Sequence, residues 1–150
     1  MPNWCQNVAK FDAKDDVFEF FQEHDGKQIE NLMSQYVPRP EDTDWYEWNL
    51  ANWGTKWDID VDVEMHGSEV RLYFNSAWSP PIEFFEKFEN VQGVGPVELY
   101  FFEPGMGFCG EWNSDFGDET CEIDLSDLDA IPPNVREVFA QDIEFCFGEE

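Results

Sequence analysis

The chain has 150 residues, and its 34 Asp and Glu against 8 Lys and Arg give a formal net charge of −26. That balance excludes direct binding to nucleic acid or to an anionic membrane, because both need a basic stripe and the few cations here are dispersed. Disorder is excluded too: disordered acidic chains lack aromatic residues, whereas this one carries 15 Phe, 7 Trp and 4 Tyr.

In chain order, residues 3–11 read as a short strand carrying Trp4, Val8 and Phe11. A turn at 12–15 leads, with Asp15 as cap, into an amphipathic helix over about 15–24, where Val17, Phe18, Phe20 and Phe21 recur at helical spacing. Residues 28–40 read as a packed connection that ends in an exposed loop at Pro38-Arg39-Pro40. Asp44 caps a short helix over 45–52, within a stretch that holds Trp45, Trp48, Trp53 and Trp57.

From residue 58 the alternation is strict. Asp58, Asp60, Asp62 and Glu64 point one way, and Ile59, Val61, Val63 and Met65 the other, which predicts a strand with one buried face. The turn His66-Gly67-Ser68 returns the chain over 69–77 and completes an antiparallel hairpin. Ser79 caps a helix entered through Pro80-Pro81, with Ile82, Phe84, Phe85 and Phe88 as its buried stripe.

Strands follow at 97–102 and 108–112, joined by Gly105-Met106-Gly107. Residues 113–119 form an acidic loop, 120–125 one more strand, and Pro132-Pro133 starts a closing helix through Val135, Val138, Phe139 and Ile143. The order β-α-(helical insert)-β-β-α-β-β-α predicts an α+β domain: one antiparallel sheet with helices packed on one face. A single domain of this length buries roughly 70% of its unfolded surface.

Four strings stand out together: Met1-Pro2-Asn3-Trp4-Cys5, Asn52 to Asp58 (NWGTKWD), Phe74 to Pro81 (FNSAWSPP), and Phe108-Cys109-Gly110. In this combination and order the chain resembles the YubB ferredoxin-like domain family, small proteins carried by plasmids and phages. The resemblance spans about residues 1–112. It implies a ferredoxin-like fold and a mobile-element origin, and it supplies no activity. Residues 113–150 fall outside it as an acidic C-terminal extension that ends in a helix.

The opening residues have neither a basic nor an apolar leader region, and no apolar run is long enough to cross a membrane, so a cytoplasmic protein is expected. Cys5, Cys109, Cys121 and Cys146 are scattered without a CxxC pair; free thiols are expected, and one disulfide is compatible with the pattern. No metal or cofactor is expected. His24 and His66 lie in polar turns, and the aspartate row has Val63 where a calcium loop needs glycine. No phosphate loop, HExxH or GxSxG motif occurs, and nothing singles out a catalytic pair, so no enzymatic activity is expected.

The candidate functional residues are therefore acidic. Carboxylates two residues apart on a strand lie about 6.8 Å from one another, within a Debye length of about 8 Å. The row Asp58, Asp60, Asp62 and Glu64 is thus either a negative ladder for a cationic partner or a solvated outer face. Asp115, Asp118, Glu119, Glu122 and Asp124 form a second group, continued by Asp127, Asp129, Glu137, Asp142, Glu144, Glu149 and Glu150.

A net charge of about 2–8 suffices to keep a small domain soluble, so the excess calls for another cause. Duplex DNA carries one charge per roughly 1.7 Å of axis, so an equal charge corresponds to about 44 Å, near thirteen base pairs. The expectation is a DNA mimic that binds and inhibits a basic, nucleic-acid-binding host protein, with Trp45 and Trp48 as apolar anchors. The competing expectation is a non-inhibitory accessory protein whose acidity serves only solubility or adaptation to high salt. Trp53, Trp57 and Trp78 are expected in the core.

Overall fold

The structure, a computed structural model, describes residues 3–147. Met1 and Pro2 of the opening string and the terminal Glu149 and Glu150 lie outside the described residues. The strands are β1 (Trp4–Asp12), β2 (Gln28–Ile29), β3 (Val61–His66), β4 (Glu69–Ala77), β5 (Glu98–Glu103), β6 (Phe108–Asn113) and β7 (Gly117–Glu122). The helices are α1 (Asp15–Glu23), α2 (Leu32–Tyr36), α3 (Trp45–Asn52), α4 (Ile82–Phe88), α5 (Pro133–Val138) and α6 (Ala140–Phe147).

All seven strands join one sheet in the order β2-β3-β4-β1-β5-β6-β7, and every pairing is antiparallel. The α+β class expected from the sequence is the one observed. Its centre, β1-α1-β3-β4-α4-β5 with β4 and β5 flanking β1, is the split βαβ arrangement of a ferredoxin-like fold. β2 extends this centre at one edge, and β6 and β7 extend it at the other.

Alternation along the strands separates two cores. Cys5, Ala9 and Phe11 of β1, Leu72 of β4 and Leu99 of β5 face Phe21 of α1 and Phe84, Phe85 and Phe88 of α4. On the opposite face Val8, Tyr100, Phe102 and Cys109 meet Ile131, Val135, Phe139 and Ile143. The rings of Phe102 and Phe139 stack at 5.6 Å. The acidic extension thus supplies the edge strand β7 and the helices that cover the second face over β1, β5 and β6.

Several boundaries differ from expectation, each for a local reason. The hairpin strand begins at Val61, so Asp58 and Asp60 precede it. Asp58 leaves the ladder because its carboxylate accepts N–H bonds from Met33 and Ser34 and the Ser34 hydroxyl, holding α2 against this segment. The connection at 28–40 contains β2 and α2, the latter entered through Asn31 in the left-handed region at φ 52°.

Ser79 does not cap α4. Pro81 occupies that position, and the Ser79 hydroxyl donates to the Gly54 carbonyl at 2.6 Å. Lys14, not Asp15, is the N-cap of α1. The last strand starts earlier than expected, at Gly117, because Asn113 accepts the N–H groups of Asp115 and Phe116 and shortens the loop to a tight turn. The closing helix is divided in two at Phe139.

Candidate functional site

The expected acidic residues fall into two regions at opposite sides of the sheet. β3 and β7 are separated by four strands, about 24 Å at the usual strand spacing. The hairpin row and the β7 group therefore do not form one surface.

In the hairpin region most carboxylates have structural partners. Asp58 binds the start of α2, as described, and Asp60 accepts the Asn31 N–H at 3.0 Å. Glu64 is hydrogen-bonded to His66, its register neighbour two residues on, and that bond holds its carboxyl below the usual range. Asp62 stands exposed beside Tyr73, its cross-strand partner. Glu69 and Arg71, on the returning strand, pair at 2.6 Å.

The β7 region is different. Asp115, Asp118, Glu119, Glu122 and Asp124 are all exposed. Asp118 and Asp124 hold short local bonds to Thr120 and Ser126, and the Ser126 groups keep the Asp124 carboxyl low. Three of the six residues of β7 are acidic. A strand rises about 3.4 Å per residue, the same rise as one phosphate per strand of B-DNA. β7 therefore carries about half the linear charge density of a phosphate row, divided between its faces with Asp118 and Glu122 on one and Glu119 on the other, along an edge with no neighbouring strand on its outer side.

Little positive charge offsets these groups. Among the described residues the ion pairs are His66–Glu64, Arg71–Glu69 and Arg136–Asp129. Carboxylates on α1 (Asp15, Asp16, Glu19 and Glu23) are exposed as well, so the negative potential extends beyond the two sheet edges.

The tryptophans divide unevenly. Trp53 is buried and its indole N–H donates to the Val37 carbonyl; Trp48 packs edge-on against it at 5.3 Å. Trp48 is thus half-buried beside the core, while Trp45 is exposed at the start of α3. Trp57 and Trp78, expected in the core, are exposed at 39% and 43%. Trp57 lies against the exposed Trp4 at 6.1 Å and carries the Lys56 ammonium over its ring at 4.6 Å.

Trp78 sits at φ 71°, inside a three-residue turn closed by the Ser79 N–H and the Ala77 carbonyl. A bulky residue held there stores strain of order 1–3 kcal/mol. For Trp4 the sequence signal is alternation. Trp4 shares a strand face with Gln6, Val8 and Lys10, opposite Cys5, Ala9 and Phe11.

The first three strings converge at one end of the sheet through buried polar contacts. The Asn7 amide donates to the Cys5 carbonyl and the Ser76 hydroxyl, and Ser76 donates to the Ser79 carbonyl. Thr55 donates to the Ala77 carbonyl. Nearby, the buried Glu103 carboxylate accepts the N–H groups of Gly105 and Met106. These bonds give the strings a structural role: they tie the insert, β4 and β1 together.

Burial, with the Glu103 charge adding, pushes the Cys5 thiol far up, and burial lifts Cys109 to about 11. Both thiols are therefore protonated near neutral pH, the opposite of an activated nucleophile. All four cysteines are free, and among the described residues no cluster of His, Cys, Asp and Glu has the geometry to hold a metal ion. Also among those residues, no helix is long and apolar enough to cross a membrane.

No family model and no curated protein matches the chain. Among solved structures, the protein api92 from Yersinia pseudotuberculosis, described by the DUF1281 family model, is similar to it with a TM-score of 0.46 and 19% sequence identity. The similarity covers 61% of this chain and 39% of that one, so it spans well under half of the api92 chain.

Proposed function

We propose that this protein is a binding protein whose β7 edge occupies a cationic surface on a nucleic-acid-binding protein in place of phosphates. The observation that carries this reading is the row Asp118, Glu119 and Glu122, flanked by Asp115 and Asp124. These groups are exposed on an unpaired sheet edge and spaced along a strand whose rise equals that of a phosphate backbone. Carboxylates there would collect the steering and counterion-release energy that a basic protein ordinarily takes from DNA or RNA.

In keeping with the resemblance to the YubB family, we take the protein to come from a plasmid or phage and its partner to be a protein of the host cytoplasm, bound and inhibited. Binding rather than catalysis is the activity proposed. Trp48 is withdrawn as an anchor because it packs on Trp53; Trp45 remains one.

A second reading has a specific observation in its favour. Carboxylates also cover α1, far from any phosphate-like row, as expected if acidity serves solubility or high salt alone. The two separate in one experiment: capture from bacterial lysate at low salt, with duplex DNA as competitor. The mimic returns a nucleic-acid-binding protein that DNA displaces and that is lost when Asp118, Glu119 and Glu122 are replaced by their amides. Capture of nothing basic, or binding indifferent to DNA, favours the second reading.

A further inference from the structure

The second face of the sheet is only half covered. α5 and α6 lie over β1, β5 and β6, and from β4 only Tyr73 packs against this second core, so the outward side of β3 is left uncovered. Between this open half and α6 runs a groove. A cavity of about 350 Å³ is floored by Val8, Tyr73 and Phe74 and walled by Val138 and Phe139. It continues through Tyr73 and Asn75 into a second cavity of about 300 Å³ that ends against Trp4.

The charged groups lining the two cavities are all carboxylates. Asp62 stands on the β3 wall and Asp142 on the α6 wall of the first cavity. Asp58 and Asp60 stand beside Trp4 in the second. Asp58 and Asp60 are already held by backbone N–H groups. Asp62 and Asp142 make no ion pair among the described residues. Lys56 already lies over the Trp57 ring at the far end, and Lys10 and Arg71 line a neighbouring cavity further along the sheet, where Lys10 lies over the Tyr100 ring and Arg71 is paired with Glu69.

We infer that this groove receives an arginine-bearing extended segment of a protein partner. Its guanidinium would lie between Asp62 and Asp142, and the segment would run over Tyr73 toward the Trp4–Trp57 pair. Charge complementarity selects a cation. The aromatic lining selects arginine over lysine, because a guanidinium is planar, weakly hydrated and able to stack on a ring while bonding a carboxylate with two N–H groups. An ammonium gains less from the same surroundings. The inference shares with the proposed function only the basic character of the partner. It assigns that partner's arginine to a groove floored by β1 and β4, separate from the β7 edge.

The test uses the full chain and two probes of equal charge and length, nona-arginine and nona-lysine peptides, followed by Trp fluorescence and by amide and indole NMR shifts. The groove predicts about fivefold or greater preference for arginine, with the largest shifts at Trp4, Tyr73 and Asn75. Asp62→Asn combined with Asp142→Asn is expected to weaken nona-arginine about tenfold or more, and Trp4→Ala about threefold. Glu19→Gln combined with Glu23→Gln, on the exposed face of α1, removes the same charge and is expected to change it less than twofold.

Equal binding of the two peptides, or equal losses from the two double variants, would overturn the groove and leave a purely electrostatic association. Failure of DNA to displace a captured protein would overturn the function while leaving the arginine preference intact. The two proposals therefore fail separately.

Discussion

The β3 side and the β7 side of the sheet are both acidic, yet their carboxylates do different physical work. Beside β3, Asp58 is bonded to the backbone of α2 and Asp60 to Asn31, while Glu64 holds a local surface bond to His66 and Asp62 stands exposed. Along β7 the acids face solvent with local bonds at most. Composition alone treats the two stretches as equivalent. The difference teaches that an acidic row in a sequence becomes a candidate interface only where the fold leaves its carboxylates without obligations. It follows that charge removal should cost stability on one side and leave it nearly unchanged on the other.

The largest expected effect comes from Asp58→Ala. It frees the backbone N–H groups of Met33, Ser34 and Ile59 and the Ser34 hydroxyl together, and bonds to a charged acceptor contribute about 1.5–3 kcal/mol each. A loss of roughly 2–4 kcal/mol in urea unfolding is expected, since partly exposed N–H groups recover some bonding to water. An unchanged midpoint would erase the contrast between the two sides.

Next comes alkaline pH, which probes the thiols packed beneath the sheet's two faces. Cys5 and Cys109 have folded pKa values raised above the unfolded value, so the unfolded chain releases their protons first. Their contribution is fully present below about pH 9 and declines above it, by about 1.4 kcal/mol per pH unit for each thiol until its folded pKa is reached. For Cys109 that window closes near 11. Urea midpoints measured between pH 7 and 10.5 should fall, and Cys109→Ala should fall less steeply. Parallel slopes would remove Cys109 from the account.

The smallest effects belong to β7. Asp118→Asn with Glu122→Gln should raise stability slightly, by no more than about 0.5 kcal/mol, because it relieves self-repulsion of the surface. A modest rise in melting temperature with added NaCl is expected in the unmodified chain, and it should shrink in this variant as repulsion is removed. A loss above 2 kcal/mol would mean that these carboxylates have partners after all.

Much of the fold was legible because its signals are local. Helical spacing of Phe18, Phe20 and Phe21, the Asp44 cap and the alternation through Val61 and Val63 each depend on near neighbours. What was not legible depends on partners distant in sequence. Asp58 reads as a strand residue until α2, 24 residues earlier, is seen bonded to it. Trp57 and Trp78 read as core because tryptophan is large and apolar, and only the strained turn at Trp78 and the end of the sheet turn them outward. The groove was invisible for the same reason: Asp62 and Asp142 are 80 residues apart and share one cavity.

The claim on which the function depends is that the β7 row substitutes for phosphate. It is tested most directly by titrating a captured nucleic-acid-binding protein against the unmodified chain and against the variant with Asp115, Asp118, Glu119, Glu122 and Asp124 converted to amides, over a range of salt. Affinity for the unmodified chain should fall steeply with salt, duplex DNA should compete, and the variant should bind weakly with a flattened salt slope. A variant that binds as tightly as the unmodified chain, with the same slope, would contradict the account.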